Sequence, residues 1–242
     1  MQRKLPVFSI IVPIGPGEDE LENLLTDLTL IPESDEVLLV YSPLVNSKRI
    51  KAGKVIIEKL ELKCLVKWVE SSQGRACQMN RGAEQSNGEY LWFLHADSRL
   101  VQENYDALNK AIKSNPNALY FFSLYFRKTG VPAIIKLNEL GSRLRSSLLG
   151  MPFGDQGFCL SRSVYNELGG YPEDVEYGED HVLAWRARQF GAKMYRVRSK
   201  LSTSARKYNQ HGWLNLTLRY HYRWVKQAIP EFRTLLQSRG IL

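Results

Sequence analysis

Three short words in this sequence carry side chains that could do chemistry. In the first, the apolar run Leu91-Trp92-Phe93-Leu94 leads straight into His95-Ala96-Asp97. A carboxylate at the end of a strand can hold a divalent cation that bridges two phosphates. Mg2+ and Mn2+ both prefer oxygen, and Mn2+ tolerates imidazole. Such a cation would neutralise a departing diphosphate. The same residue types also suit a plainer role, with Asp97 capping the next helix and His95 filling space. The second word is Gly178-Glu179-Asp180, followed by His181. Acids that open a helix complement its dipole. Alternatively, one of them is a general base that takes a proton from an attacking hydroxyl, with His181 placed to assist. The third is the polar set Arg75, Gln78 and Asn80 at the start of a helix over 75–86, with Ala76, Met79 and Ala83 left for packing. The strand after that helix ends at Asp97. A nucleotide lying between the helix start and the strand end would meet both, unless this is an ordinary helix–turn–strand unit.

These words need a frame to hold them. Continuous apolar runs mark strands at 8–12, 37–41, 63–69 and 90–95, and a further strand at 118–127. Helical spacing fills 18–30, 75–86 and 102–114 between them. Fully apolar strands alternating with helices predict an α/β fold with a mostly parallel sheet covered on both faces. In such sheets, ligands bind beyond the carboxyl ends of the strands, where His95 and Asp97 fall. The second half is less regular. It reads as an amphipathic helix over 131–149, a glycine-rich loop over 150–157 and a short strand at 158–160. A helix at 162–168, another at 180–190 and a last strand at 193–197 follow. The division expected is a core over 1–204 and a basic, aromatic, helical extension over 205–242.

Bulk properties narrow the classes. The chain has 242 residues, with 44% hydrophobic and 24% charged content, which suits a soluble globular protein. No stretch reaches the roughly 18 apolar residues of a membrane helix. The start, MQRKLPVFSIIVPIG, has no small-residue cleavage site and reads as a first strand rather than a leader. Cys64, Cys77 and Cys159 are odd in number and lack metal-ligand spacing, so they read as packing residues in a reducing cytoplasm. The net charge is +8, and beyond Val182 the only acid is Glu231. That tail wants an anionic partner, such as a nucleotide diphosphate, a phosphorylated acceptor or an acidic membrane face. Its interleaving of Trp213, Tyr220, Tyr222 and Trp224 with Arg219, Arg223 and Lys226 fits a membrane surface, a packed helix or a subunit contact. No motif supports specific nucleic-acid recognition. The turn Gly15-Pro16-Gly17-Glu18-Asp19 has neither P-loop nor dinucleotide-fingerprint spacing, and no G-x-S-x-G elbow occurs.

In order and spacing, SIIVP (9–13), GRACQMNRGA (74–83), GEYLWFLHADSRL (88–100), GDQGFCLSRSVYNELGGYPE (154–173), GEDHVLAWRARQFG (178–191) and TSARKY (203–208) resemble the family 2 inverting glycosyltransferases of GT-A fold. The closer likeness is to a small bacterial subgroup of them. The resemblance implies a nucleotide-sugar donor, a hydroxyl acceptor, inversion at the anomeric carbon and assistance by Mn2+ or Mg2+. It places Asp97, with His95 beside it, at the metal, and Pro13, Glu18, Arg75, Asn80 and Arg206 around the nucleotide. Asp180 falls at the catalytic base with Glu179 next to it, and Asp155 and Gln156 at the acceptor and transferred sugar. Localisation would be cytoplasmic, with peripheral attachment at the inner membrane face allowed by the tail.

This sequence departs from the family pattern in three places. His95 replaces the first Asp of Asp-x-Asp. The turn after the second strand, YSPLVNS (41–47), has no carboxylate. Gly17-Glu18 stands where an Asn-Glu pair is usual. Two competing functions are a nucleotidyltransferase, against which the acidic 15–19 turn argues, and a binding protein of this fold that has lost catalysis, against which the intact Gly178-Glu179-Asp180 argues.

Overall fold

All seven residues of the strand Phe8–Ile14 (β1) are buried, as the apolar run predicts for a strand covered on both faces. The computed structural model describes residues 7–127, 134–148 and 150–239. The basic start at 1–6 and the positions 131–133 and 149 of the expected amphipathic helix lie outside them. After β1 come α1 (Leu21–Asp27), β2 (Glu36–Tyr41), α2 (Ser47–Lys59), β3 (Leu65–Glu70), α3 (Arg75–Glu84), β4 (Tyr90–Phe93), α4 (Gln102–Ser114) and β5 (Ala118–Arg127). Then follow α5 (Ile135–Leu148), β6 (Cys159–Ser161), α6 (Arg162–Glu167), α7 (Glu179–Gln189), β7 (Lys193–Ser204), α8 (Arg206–His211) and α9 (Trp213–Ser238).

The seven strands form one sheet in the order β3-β2-β1-β4-β6-β5-β7. β1 runs parallel to β2 and β4, β2 to β3, and β5 to β7, while β6 runs antiparallel between β4 and β5. The carboxyl ends of β1, β2 and β4 therefore face one edge, where an open α/β sheet binds its ligand. Alternation along β1 sends Ile10 and Val12 into one core layer with Trp92, Leu24 and Leu108, and Ile11 into the other with Val40, Phe93 and Leu183. In the second layer α3 lies flush on the sheet. A Cβ on its Gly82 would sit 2.5 Å from Ile11 Cγ2. That approach fixes how far Arg75, at the helix start, reaches over the strand ends.

Three features differ from expectation. α2 is a full helix, capped by the Asn46 side chain accepting from Lys48 N–H, where no element was expected. Its one fully buried residue is Gly53, so the apolar stripe that would announce it is weak. β3 is the sheet's edge and half-exposed, with Leu65 among the exposed residues. β7 continues to Ser204, because Val197, Leu201 and Thr203 alternate inward while polar neighbours face out. The extension is packed rather than loose. Leu235 of α9 joins the second core layer, and Gln189 of α7 donates to the Glu231 carboxylate and carbonyl.

Candidate active site

The loop that carries His95 and Asp97 is clamped from three directions. Leu94 N–H donates to the Ile11 carbonyl at 3.0 Å, continuing the β1–β4 register. Arg99 makes a bidentate pair with the buried Asp27, both bonds 2.7 Å, and the same carboxylate accepts from Leu100 N–H at 2.9 Å. Arg127 donates to the Asp97 carbonyl at 2.9 Å and to Ser202. α4 starts only at Gln102, with Val101 at its cap. Asp97 is thus not a helix cap. Its carboxylate faces the strand ends instead and accepts from the Thr203 hydroxyl at 3.2 Å.

Arg75 stands at the first turn of α3, after Gly74, whose φ of +123° is open to glycine. Its guanidinium meets His95 Nε2 in a short hydrogen bond and lies 3.4 Å from Glu179. Burial, then the neighbouring cations Arg75 and Lys207, hold the His95 imidazole well below its usual range. The ring is neutral, and its Nε2 accepts a hydrogen bond from the Arg75 guanidinium. Burial raises the Glu179 carboxyl; Arg75 opposes that rise and Asp180 adds to it.

Glu179 and Asp180 open α7 behind Gly178, which holds a left-handed φ of +72°. One Asp180 oxygen accepts from His181 N–H at 2.9 Å, and the other takes a short bond from Gly154 N–H. A Cβ on Gly154 would stand 2.8 Å from that oxygen and 2.9 Å from the Asp180 Cβ, so only glycine lets the two segments close. Next along the 3-10 turn is Asp155. Burial pushes its carboxyl up to about 6; Arg145 and Arg75 oppose the rise, while Asp180 and Asp97 add to it. Its Oδ1 is buried with no partner. Arg145 of α5 reaches in from the far side, stacked 3.4 Å over the Phe153 ring and donating from Nε to the Met151 carbonyl.

A cavity of about 380 Å3 joins these groups. Six expected residues line it: Arg75, His95, Asp97, Asp155, Glu179 and Asp180. α5, α8 and α9 supply the opposite wall, with Arg145, Lys207, Tyr208, Tyr220, Arg223 and Trp224. The wall is tied down through His181. Trp185 Nε1 donates to its Nε2 at 2.9 Å, its Nδ1 lies 3.1 Å from Gln227 Oε1, and Gln227 donates to the Tyr177 carbonyl. Both ring nitrogens are thus committed, Nε2 within α7 and Nδ1 across to α9. The imidazole is structural rather than a proton carrier.

The remaining expected residues lie elsewhere. Asn80 is saturated by Tyr165, Tyr171 and Glu173, and holds the loop after α6. Gln156 spans Phe153 N–H and the Phe122 carbonyl. Gln78, buried, ties the carbonyls of Ile14 and Val40 together at the ends of β1 and β2. Pro13 is buried within β1. Arg206 turns to the 15–19 segment, donating to Asp19 at 2.9 Å and to the Gly17 carbonyl, with Glu18 at 3.5 Å. Glu18 is raised by burial and by Asp97, so it shares that carboxylate's field while standing outside the cavity. Sequence reasoning missed Arg145, and it chose Arg206 where Lys207, one residue on, faces the cavity. The available signal was TSARKY itself, in which an extended β7 would have fixed the helical phase.

Asp155→Asn tests the strain in this cluster. In the folded protein the carboxyl titrates at about 6, against 3.8 in the unfolded chain. Between those values the native state keeps a proton that the unfolded chain gives up. Stability is therefore lost as pH rises through this window, by about 3 kcal/mol at roughly 1.4 kcal/mol per unit. The asparagine variant does not ionise. Its melting temperature is expected to exceed the wild type's at neutral pH and to converge with it below pH 3.8. Equal pH dependence of the two proteins would remove the buried ionised carboxylate from the account.

Comparison with known proteins bears on this arrangement. Residues 9–169 match the family model described as glycosyl transferase family 2. An uncharacterized glycosyltransferase of Haemophilus influenzae is 25% identical over 185 residues, 72% of this chain and 60% of that protein. The chain thus spans about 60% of the length of the curated relative it matches. Among solved structures, the mannosyltransferase PcManGT from Pyrobaculum calidifontis, in complex with GDP-Man and Mn2+, superposes with a TM-score of 0.70 at 19% identity. That match covers 97% of this chain and 69% of the other. S. aureus TarS 1–349 in complex with UDP-GlcNAc superposes with a TM-score of 0.56 at 18% identity, over 82% of this chain and 56% of the other. At these identities the likeness is one of fold, and the fold is the expected GT-A type.

Proposed function

This chain belongs to glycosyl transferase family 2, and from that premise we propose that it moves a sugar from a nucleoside-diphosphate sugar to a hydroxyl acceptor, with inversion at the anomeric carbon. The observation that carries this reading is the cavity at the strand ends. There a carboxylate, Asp180, is held by the Gly154 and His181 N–H groups in one space with the Arg75 guanidinium and Asp97. Asp180 takes the acceptor's proton as its oxygen attacks the anomeric carbon. The departing diphosphate gathers negative charge, which Arg75 and Lys207 are placed to offset. Inversion needs a single in-line displacement and one base, and the cavity offers a carboxylate for that task.

Among the described residues, no three metal-ligating side chains form a group that could hold an ion. His95 Nε2 is turned to Arg75, which leaves Asp97 as the carboxylate for a cation. Burial is the main cause of the raised Glu18 and Asp155 carboxyls, and the Asp97 charge adds to both rises, a field that a cation at Asp97 would relieve. One carboxylate plus phosphate and water oxygens suits Mg2+ or Mn2+. When bound, such an ion would stabilise charge on the leaving diphosphate. The catalytic unit comprises the 1–204 core together with the 205–242 extension, because α8 and α9 supply a wall of the cavity.

A thermal-shift panel of nucleoside diphosphates, with and without Mn2+, tests the reading. Saturation at a hundredfold excess over Kd stabilises by about 2.7 kcal/mol. For a chain of this size that is a rise of several degrees, at about 2–4 °C per kcal/mol. A metal-dependent rise with one diphosphate is expected. If no nucleoside diphosphate shifts the melting temperature under either condition, the transferase reading fails and a binding role takes its place.

A further inference from the structure

α9 has two apolar faces. One packs inward through Leu216, Trp224 and Leu235. The other consists of Leu214, Leu218, Tyr222, Val225, Ile229 and Phe232, all exposed, with Leu218 61% and Tyr222 69% exposed. Their spacing of three and four residues keeps them on one stripe along the whole helix. Of the aromatic residues for which the sequence left a membrane surface, a packed helix or a subunit contact open, Trp213 and Trp224 are turned inward. Trp213 donates to Asn138, and Trp224 lines the cavity. α5, joined to α9 through Asn138 and Thr217, adds exposed Leu137, Leu140 and Leu144. An exposed apolar stripe of this length, with three more exposed leucines on the neighbouring helix, marks an interaction site.

The polar residues beside the stripe identify the partner. At 100° per residue, Arg219, Lys226 and Arg233 fall along one flank of the apolar stripe. Lys136 and Arg143 are the exposed charges of α5. The single acid in each helix is turned inward: Glu231 to Gln189, and Glu139 to the Phe126 N–H. A second copy of the chain would bring this basic flank against itself with no carboxylate to compensate, the reverse of what paired helices use at their flanks. We propose that the α5–α9 face docks on an anionic lipid bilayer, with the apolar stripe entering the headgroup boundary and the basic flank meeting the lipid phosphates. Leu137, one of the exposed leucines of α5, also lines the cavity, so docking brings this part of the cavity's rim toward the membrane surface. The docking itself depends neither on transfer nor on donor binding, so it stands or falls separately from the proposed activity.

Co-sedimentation of the full chain with vesicles tests it. The vesicles are phosphatidylcholine alone, or phosphatidylcholine mixed with phosphatidylserine. Binding to the mixed vesicles is expected, with little to phosphatidylcholine alone, and high salt should weaken it. Arg219→Glu/Lys226→Glu is expected to weaken partitioning by at least about 30-fold, at ~1 kcal/mol for each basic charge removed. Leu218→Ser/Ile229→Ser is expected to abolish binding at any salt. Both variants change exposed residues, and an unchanged melting temperature with the nucleotide panel shows that they fold. Absence of wild-type binding to the anionic vesicles overturns the proposal. So does equal binding to both vesicle types. Sedimentation analysis that finds a dimer which Leu218→Ser/Ile229→Ser dissolves would also overturn it, by assigning the face to a second copy.

Discussion

Asp180→Asn is expected to lower kcat by about 10^3-fold, within the 10^2–10^4 range that general-base catalysis supplies, while the nucleotide-diphosphate thermal shift stays as in the wild type. The substitution preserves volume. Its amide oxygen can keep the Gly154 N–H bond, but its amino group then faces the His181 N–H, so one of the two bonds is lost. About 1 kcal/mol of stability goes with it. Partly offsetting that loss, the variant relieves the repulsion Asp180 exerts on Glu179 and Asp155. The Asp155 carboxyl should then titrate below the wild type's value of about 6. A variant that turned over at the wild-type rate would take the base away from Asp180. One that lost donor binding as well would have lost the site rather than the proton acceptor.

Arg75→Met is expected to lower kcat by about 10^2–10^3-fold, the effect of removing one preorganised group that faces developing charge. Methionine keeps much of the side chain's length and apolar stem but brings no cation. A second signature separates this role from simple packing. Arg75 holds down the Glu179 carboxyl that burial raises, so its loss lets that carboxyl rise further. A raised carboxyl loses stability as pH climbs through its folded value. The variant's deficit in melting temperature should therefore be larger at neutral pH than in acid. Asp97 provides the matching control on the metal. Asp97→Ala should remove the Mn2+-dependent part of the nucleotide shift and leave the nucleotide-free melting temperature nearly unchanged. A metal-dependent shift that survived in Asp97→Ala would place the cation elsewhere.

The frame was legible because its signals are local. Phe8 to Ile14 can be a strand buried on both faces without reference to any distant residue, and the same holds for Val37 to Val40 and Tyr90 to Phe93. α2 was hidden because it packs through Gly53 against Trp68 and shows no strong apolar stripe. The end of β7 was hidden because serine and lysine fill its outward positions. Asn80 and Gln156 were legible as polar positions but not as functional ones. An amide that meets a ligand and an amide that satisfies buried backbone look the same in one dimension.

By itself the sequence determined the α/β class, the parallel frame and which carboxylates and cations sit at strand ends and helix starts. Each of these follows from periodicity over a few residues and from the turn that ends it. Only the tertiary structure decided how those groups meet. It turned His95 onto Arg75, seated Asp180 against Gly154, sent Arg206 to the 15–19 turn, and placed Lys207 and Arg145 in the cavity. It also chose which side of α9 faces out. Those choices depend on close approach between residues far apart in the chain, 75 positions for Trp213 with Asn138 and 187 for Arg206 with Asp19. They are settled by packing and by the need to pair buried charge, and no local pattern encodes either.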